Sequence, residues 1–146
     1  MRDMPAIGAA ADPDRGTRAL SGLRTAFSRI MAVILFIFAI AVWARIAGLP
    51  LGEPFSAIDT APRIWLGIFA ALLPLAGQGL WLEHAWGRVL WLAAVALHVA
   101  AIANGWWPTG WSALALLFHA VTVGLFAALE IATLFDHRRL RRARTR

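Results

Sequence analysis

The sequence predicts an all-α membrane protein, with four transmembrane helices as two antiparallel hairpins and both termini cytoplasmic. Three observations predict it. The chain is 60% hydrophobic and only 15% charged, against about 45–50% and about 25% in soluble domains. Its apolar residues fall into four blocks of about 20, the helix length that crosses a hydrocarbon core of about 30 Å. The 14 basic residues, all arginine, lie almost entirely on one side of those blocks, as cytoplasmic flanks do. A chain of 146 residues has room for one compact domain.

Residues 1–29 read as a cytoplasmic basic tail. Pro5, Gly8, Asp12, Pro13 and Asp14 stand in a stretch without apolar period, which predicts disorder over residues 1–15. Leu20, Leu23 and Phe27 then recur at helical spacing opposite Arg18 and Arg29. They predict a short amphipathic helix over 17–29 at the lipid surface. The transmembrane domain covers residues 30–135. Its first span is 30–49, with Arg45 near the outer end, where its stem snorkels to the headgroups. Arg29, the apolar run and Ala39-Ile40-Ala41 also resemble a signal peptide with a small-residue cleavage site. A leader of 29 residues is long for a signal, so the span is the preferred reading.

Pro50, Gly52, Pro54 and Pro62 break the chain into a loop over 50–62. Asp59 or Thr60 is placed to cap the second span, 63–82. Pro74, followed by Gly77, Gln78 and Gly79, predicts a kink in its cytoplasmic half. Residues 83–86 make a short turn, and the third span is 87–103. Asn104, Gly105, Pro108 and Gly110 turn the chain again. The fourth span is 111–135, and residues 136–146 form an Arg-rich cytoplasmic tail.

Orientation follows from arginine placement. Only Arg45 and Arg63 fall on the side opposite the tails, so the termini and the 83–86 turn are inside. Trp43, Trp65, Trp106, Trp107 and Trp111 would mark the outer interface, with Trp81 and Trp86 at the inner one. Indole favours headgroup depth because its ring is apolar and its N–H needs a partner.

The fourth span carries the candidate functional residues. Ala120, Gly124, Ala128 and Ala132 repeat every four residues, a pattern that lets another helix backbone approach closely. Opposite them run His119, Thr122, Glu130 and Thr133, with Phe126 between. Glu130 and Gln78 are polar groups within spans, where charge costs about 2.5–3.5 kcal/mol at mid-membrane. Glu130 is therefore expected to face Gln78, His84 or Arg88 rather than lipid. His98 and His119 fall at similar depth on consecutive spans. Facing each other, they would hydrogen-bond, ligate a haem b iron axially or hold a quinone. Arg138, Arg139, Arg141 and Arg142 would contact anionic lipid at about 1 kcal/mol per residue near the surface. Nucleic acid is not expected as a partner.

No cysteine is present, which excludes disulfides and thiolate metal sites. Nucleophile, P-loop, dinucleotide and zinc motifs are all missing. Loops this short leave little room for a soluble active site.

Three stretches carry a family resemblance: Val42-Trp43-Ala44-Arg45-Ile46-Ala47-Gly48-Leu49, Leu73-Pro74-Leu75-Ala76-Gly77-Gln78-Gly79-Leu80-Trp81-Leu82 and Ala85-Trp86-Gly87-Arg88-Val89-Leu90-Trp91. Over residues 30–135 the chain resembles an uncharacterised family of small four-span inner-membrane proteins of alphaproteobacteria, classed as a domain of unknown function. The resemblance implies a bacterial inner membrane and a four-span fold, and lends no catalytic residue. The expected function is association with a larger membrane or envelope complex, or self-association, without catalysis. Two alternatives stand beside it: a redox subunit using His98 and His119, and a small oligomeric transporter or channel using Glu130.

Overall fold

Inside lipid an apolar segment of this length must satisfy its own backbone, and a helix does so within one segment. The computed structural model describes residues 13–49, 55–106 and 112–144, with side chains between residues 18 and 135. Among them the regular elements are helices: α1 Pro13–Ile46, a three-residue 3-10 turn Phe55–Ala57, α2 Thr60–Trp81, α3 Ala85–Ala103 and α4 Ser112–Arg144. Each of the four α-helices is long and apolar enough to cross a membrane.

Two boundaries differ from the sequence expectation. The segment 17–29 is not a separate surface helix but the first turns of α1, which passes residue 29 without a break. Likewise α4 continues beyond Phe135 to Arg144. Arginine is a good helix former, so a change from apolar to basic need not end the helix. At about 1.5 Å per residue, α1 and α4 are each about 50 Å long, while α2 and α3 are about 33 and 29 Å. Residues 50–54 of the expected 50–62 loop, and residues 107–111 with Trp107 and Trp111 at the expected turn and start of the fourth span, lie outside the described residues, as do the side chains of Arg138, Arg139, Arg141 and Arg142.

The core is built by the first three helices. Met31, Ala32, Leu35 and Ala39 of α1 meet Phe69, Leu73, Ala76 and Leu80 of α2, with Trp91 and Ala94 of α3 closing the cluster. Trp91 is only 2% exposed. α2 packs along both α1 and α3, whereas α4 rests mainly on α1 and barely approaches α3. It lays Phe118, Val123 and Phe126 against the core without burying them fully.

The closest backbone approach joins α2 and α3 beside their turn. A Cβ on Gly79 would lie 2.6 Å from Cζ3 of Trp86 and would run into the backbone of Gly87; a Cβ on Gly87 would strike the backbone of Gly79. Only hydrogen fits on both sides. The turn itself ends α2 with Glu83 N–H donating to Leu80 O and His84 N–H to Gly79 O. Glu83 takes the left-handed position with φ 57°, a place usually filled by glycine. Its carboxylate accepts from Thr25 Oγ1 at 3.1 Å, which ties α1 to the turn.

Pro74 stands inside α2 without ending it. Proline has no N–H, so the carbonyl four residues earlier, that of Ala70, loses its helical donor. The indole N–H of Trp43 supplies the replacement, donating to Ala70 O at 3.0 Å. Trp43 was expected as an interface marker whose N–H needs a partner; that partner is a backbone vacancy on the neighbouring helix. At the start of α2, Asp59 occupies the N-cap position but makes no side-chain capping bond. The preceding turn is held by Arg63, which donates to Ser56 O at 3.1 Å and Ile58 O at 2.7 Å.

Candidate functional site: the ties of the fourth helix

Beside the apolar packing of Phe118 and Val123 on the core, three ties spaced along one stripe hold α4 to the rest of the chain among the described residues. The first is polar. His119 Nε2 and His98 Nδ1 stand 2.9 Å apart, with the rings at 80°. Phe69 packs edge-on against His98 and Phe118 against His119. One ring nitrogen donates and the other accepts, so the tautomers of the two rings are coupled. Nδ1 of His119 is enclosed without a hydrogen-bond partner among the described residues. An iron held between two imidazole nitrogens needs about 2 Å on each side, so axial ligation would require these rings to part.

The second tie is aromatic. Phe126 stacks on Phe27 at 6.3 Å and meets Trp91 edge-on at 5.4 Å. Phe27 and Trp91 also meet edge-on, at 6.2 Å. Three helices thus contribute one ring each to a single cluster, an arrangement that electrostatics of the ring faces and edges favours.

The third tie is ionic. Arg88 Nη1 donates to Glu130 Oε1 at 2.7 Å, and Arg24 Nη1 stands 3.9 Å from the same oxygen. The three side chains are 34%, 27% and 38% exposed for Arg88, Glu130 and Arg24 respectively. Of the three expected donors to Glu130, Arg88 makes the contact. Gln78 is exposed, and His84 packs near Trp86 instead. Arg24 was not anticipated, because the sequence placed it in a separate tail. Each ionic residue lies one turn from a ring of the aromatic cluster: Arg24 from Phe27, Arg88 from Trp91, Glu130 from Phe126.

The two threonines on this stripe do not reach other helices. Thr122 Oγ1 donates to Phe118 O at 2.9 Å and His119 O at 3.2 Å, and Thr133 Oγ1 to Glu130 O at 2.8 Å. Such back-bonding satisfies a hydroxyl inside its own helix.

The small-residue stripe faces the other way. Ala120, Gly124 and Ala128 are exposed and Ala132 is half-buried. A Cβ on Gly124 would meet nothing within 4 Å. Only 6% of the most apolar window of α4 is buried, against 44% in α2. Within the chain this face is therefore not a helix–helix contact. Among the described residues no group of three or more His, Cys, Asp or Glu is placed to hold a metal ion.

A protein-family model described as a family of unknown function, DUF6163, matches residues 23–137. The match begins at Leu23, within the part of α1 that the sequence had assigned to a tail. Neither the curated proteins nor the solved structures give a match.

Proposed function

The chain belongs to the DUF6163 family of unknown function, and from that premise we propose that it is a bacterial inner-membrane protein acting by lateral association rather than by catalysis. In this reading its helices form two antiparallel hairpins with both termini cytoplasmic. The outward face of α4 docks against a helix of a larger membrane or envelope complex. One observation carries the reading: three small residues in four-residue register on α4, Ala120, Gly124 and Ala128, point away from the chain's own core. Lipid needs no small residues, whereas a helix backbone approaching closely does.

The test is association in mild detergent. Gly124→Leu places a bulky side chain on the open face and leaves the core untouched. It should abolish co-purification of the partner, while Leu125→Ile leaves it intact. A chain that migrates alone before any substitution would refute the reading. Orientation is checked separately with reporter fusions. Those after residues 20 and 140 should read cytoplasmic, and those near 55 and 108 periplasmic; reversed signals at the tails would overturn the arginine argument. The competing reading, a haem b or quinone subunit through His98 and His119, would be selected by a Soret band or bound quinone in the purified protein.

A further inference from the structure

We infer that Arg24 and Arg88 form a discrete binding site for the phosphate of an anionic phospholipid, at the end of the bundle where α1, α3 and α4 converge. The charges do not balance. Two guanidinium groups share one carboxylate, and both point a nitrogen at the same oxygen, Glu130 Oε1. Arg88 is hydrogen-bonded to it. Arg24 stops at 3.9 Å, beyond hydrogen-bond length, so its fork of donors remains open to a second acceptor. A phosphate matches that fork in charge and geometry.

Position selects a lipid as the source of the phosphate. Arg88 lies in the first turn of α3, at the edge of the apolar span. One turn deeper, Phe27, Trp91 and Phe126 close the floor, so a headgroup stops at the level of the arginines. Around them Leu23, Val89, Ile131 and Leu134 are exposed and present an apolar wall to acyl chains. Glu130 competes with the lipid for the same guanidiniums and sets how tightly it is held. This site is distinct from diffuse attraction by Arg138, Arg139, Arg141 and Arg142 of the tail, which lie at the far end of α4 from His119.

The full-length protein, purified in mild detergent, is examined by native mass spectrometry during titration with phosphatidylglycerol, phosphatidylcholine or inorganic phosphate. One phosphatidylglycerol per chain should be retained preferentially over phosphatidylcholine. Arg24→Gln should weaken retention about tenfold, the worth of one charge-assisted bond. Glu130→Gln should strengthen it, because the competing carboxylate is gone; a merely structural ion pair would show lower thermal stability and no gain in lipid. Gln substitution of Arg138, Arg139, Arg141 and Arg142 together should leave the single tight lipid in place. Unchanged binding by Arg24→Gln, loss of the tight lipid in the tail variant, or equal retention of phosphatidylcholine would overturn the site. Saturation by inorganic phosphate alone with no preference for the lipid would overturn the lipid as occupant.

Discussion

Removing the indole N–H of Trp43 should weaken the fold only as long as Pro74 is present. Trp43→Phe keeps an aromatic ring against α2 but deletes the donor to Ala70 O, which stands 3.0 Å away. Pro74 cannot replace it, and no water is available within hydrocarbon. Hydrogen bonds measured between transmembrane helices average about 0.6 and reach about 1.7 kcal/mol. An acceptor left stranded costs about 1–3 kcal/mol. The expected loss is therefore about 1–1.5 kcal/mol. Pro74→Ala returns a helical N–H to Ala70 O, so in that background Trp43→Phe should lose only the indole's extra packing, about 0.5 kcal/mol. The double-mutant cycle should give a coupling of about 0.5–1 kcal/mol. Unfolding in mixed micelles, followed by far-ultraviolet circular dichroism, measures all four proteins without relying on any one of the 8 tryptophans. The same cost in both backgrounds would refute the substitution of one donor by the other.

Glu130→Gln should change stability by a few tenths of a kcal/mol, because the amide oxygen still accepts from Arg88. Glu130→Leu should cost about 1 kcal/mol, a modest figure because the partly exposed arginines can turn toward water. Equal thermal shifts for the two variants would show that the pair carries no stability. Gly79→Ala and Gly87→Ala should each cost about 1–3 kcal/mol, since the added methyl meets backbone that cannot yield. Gly67→Ala, where a Cβ meets nothing within 4 Å, should be neutral or gain up to about 1 kcal/mol. A Gly79→Ala protein as stable as Gly67→Ala would deny the close approach.

The four spans were legible because a hydropathy block and a lipid core share one length. Helix ends were not. Arg18, Arg24 and Arg29 interrupt the apolar pattern without interrupting the backbone bonds of α1, so the tail boundary at residue 29 was a boundary of charge and not of structure. The face of α4 carrying His119, Phe126 and Glu130 could be read from its spacing, since i and i+4 lie over one another on a helix. Its partners were only half readable. Arg88 is close to the turn and was named, whereas Arg24 and Phe27 belonged to a segment that had been separated from the bundle. The contact of Gly79 with Gly87 carried a signal that passed unread: the two glycines lie four residues either side of Glu83, so a tight turn there sets them opposite each other. Trp43 carried one too. A proline inside a span leaves a carbonyl that must find a donor in lipid, and a tryptophan on the adjoining span is a natural source. What pattern alone does not supply is the pairing of distant residues, such as Ala70 with Trp43, because it depends on how two helices rotate about their axes.

The sparse attachment of α4 bears on how the protein is made. The buried residues of the central cluster all come from α1, α2 and α3, and the tightest helix contact, Gly79 on Gly87, uses residues synthesised before α4. The first three segments can settle together as they leave the insertion machinery. The last segment then joins them through one histidine pair, one ring cluster, one carboxylate and the apolar side chains of Phe118 and Val123. If the proposed partner docks on α4, the last segment to be synthesised would be free to meet a helix from another polypeptide before closing on its own bundle, and assembly would then begin during biogenesis rather than after it.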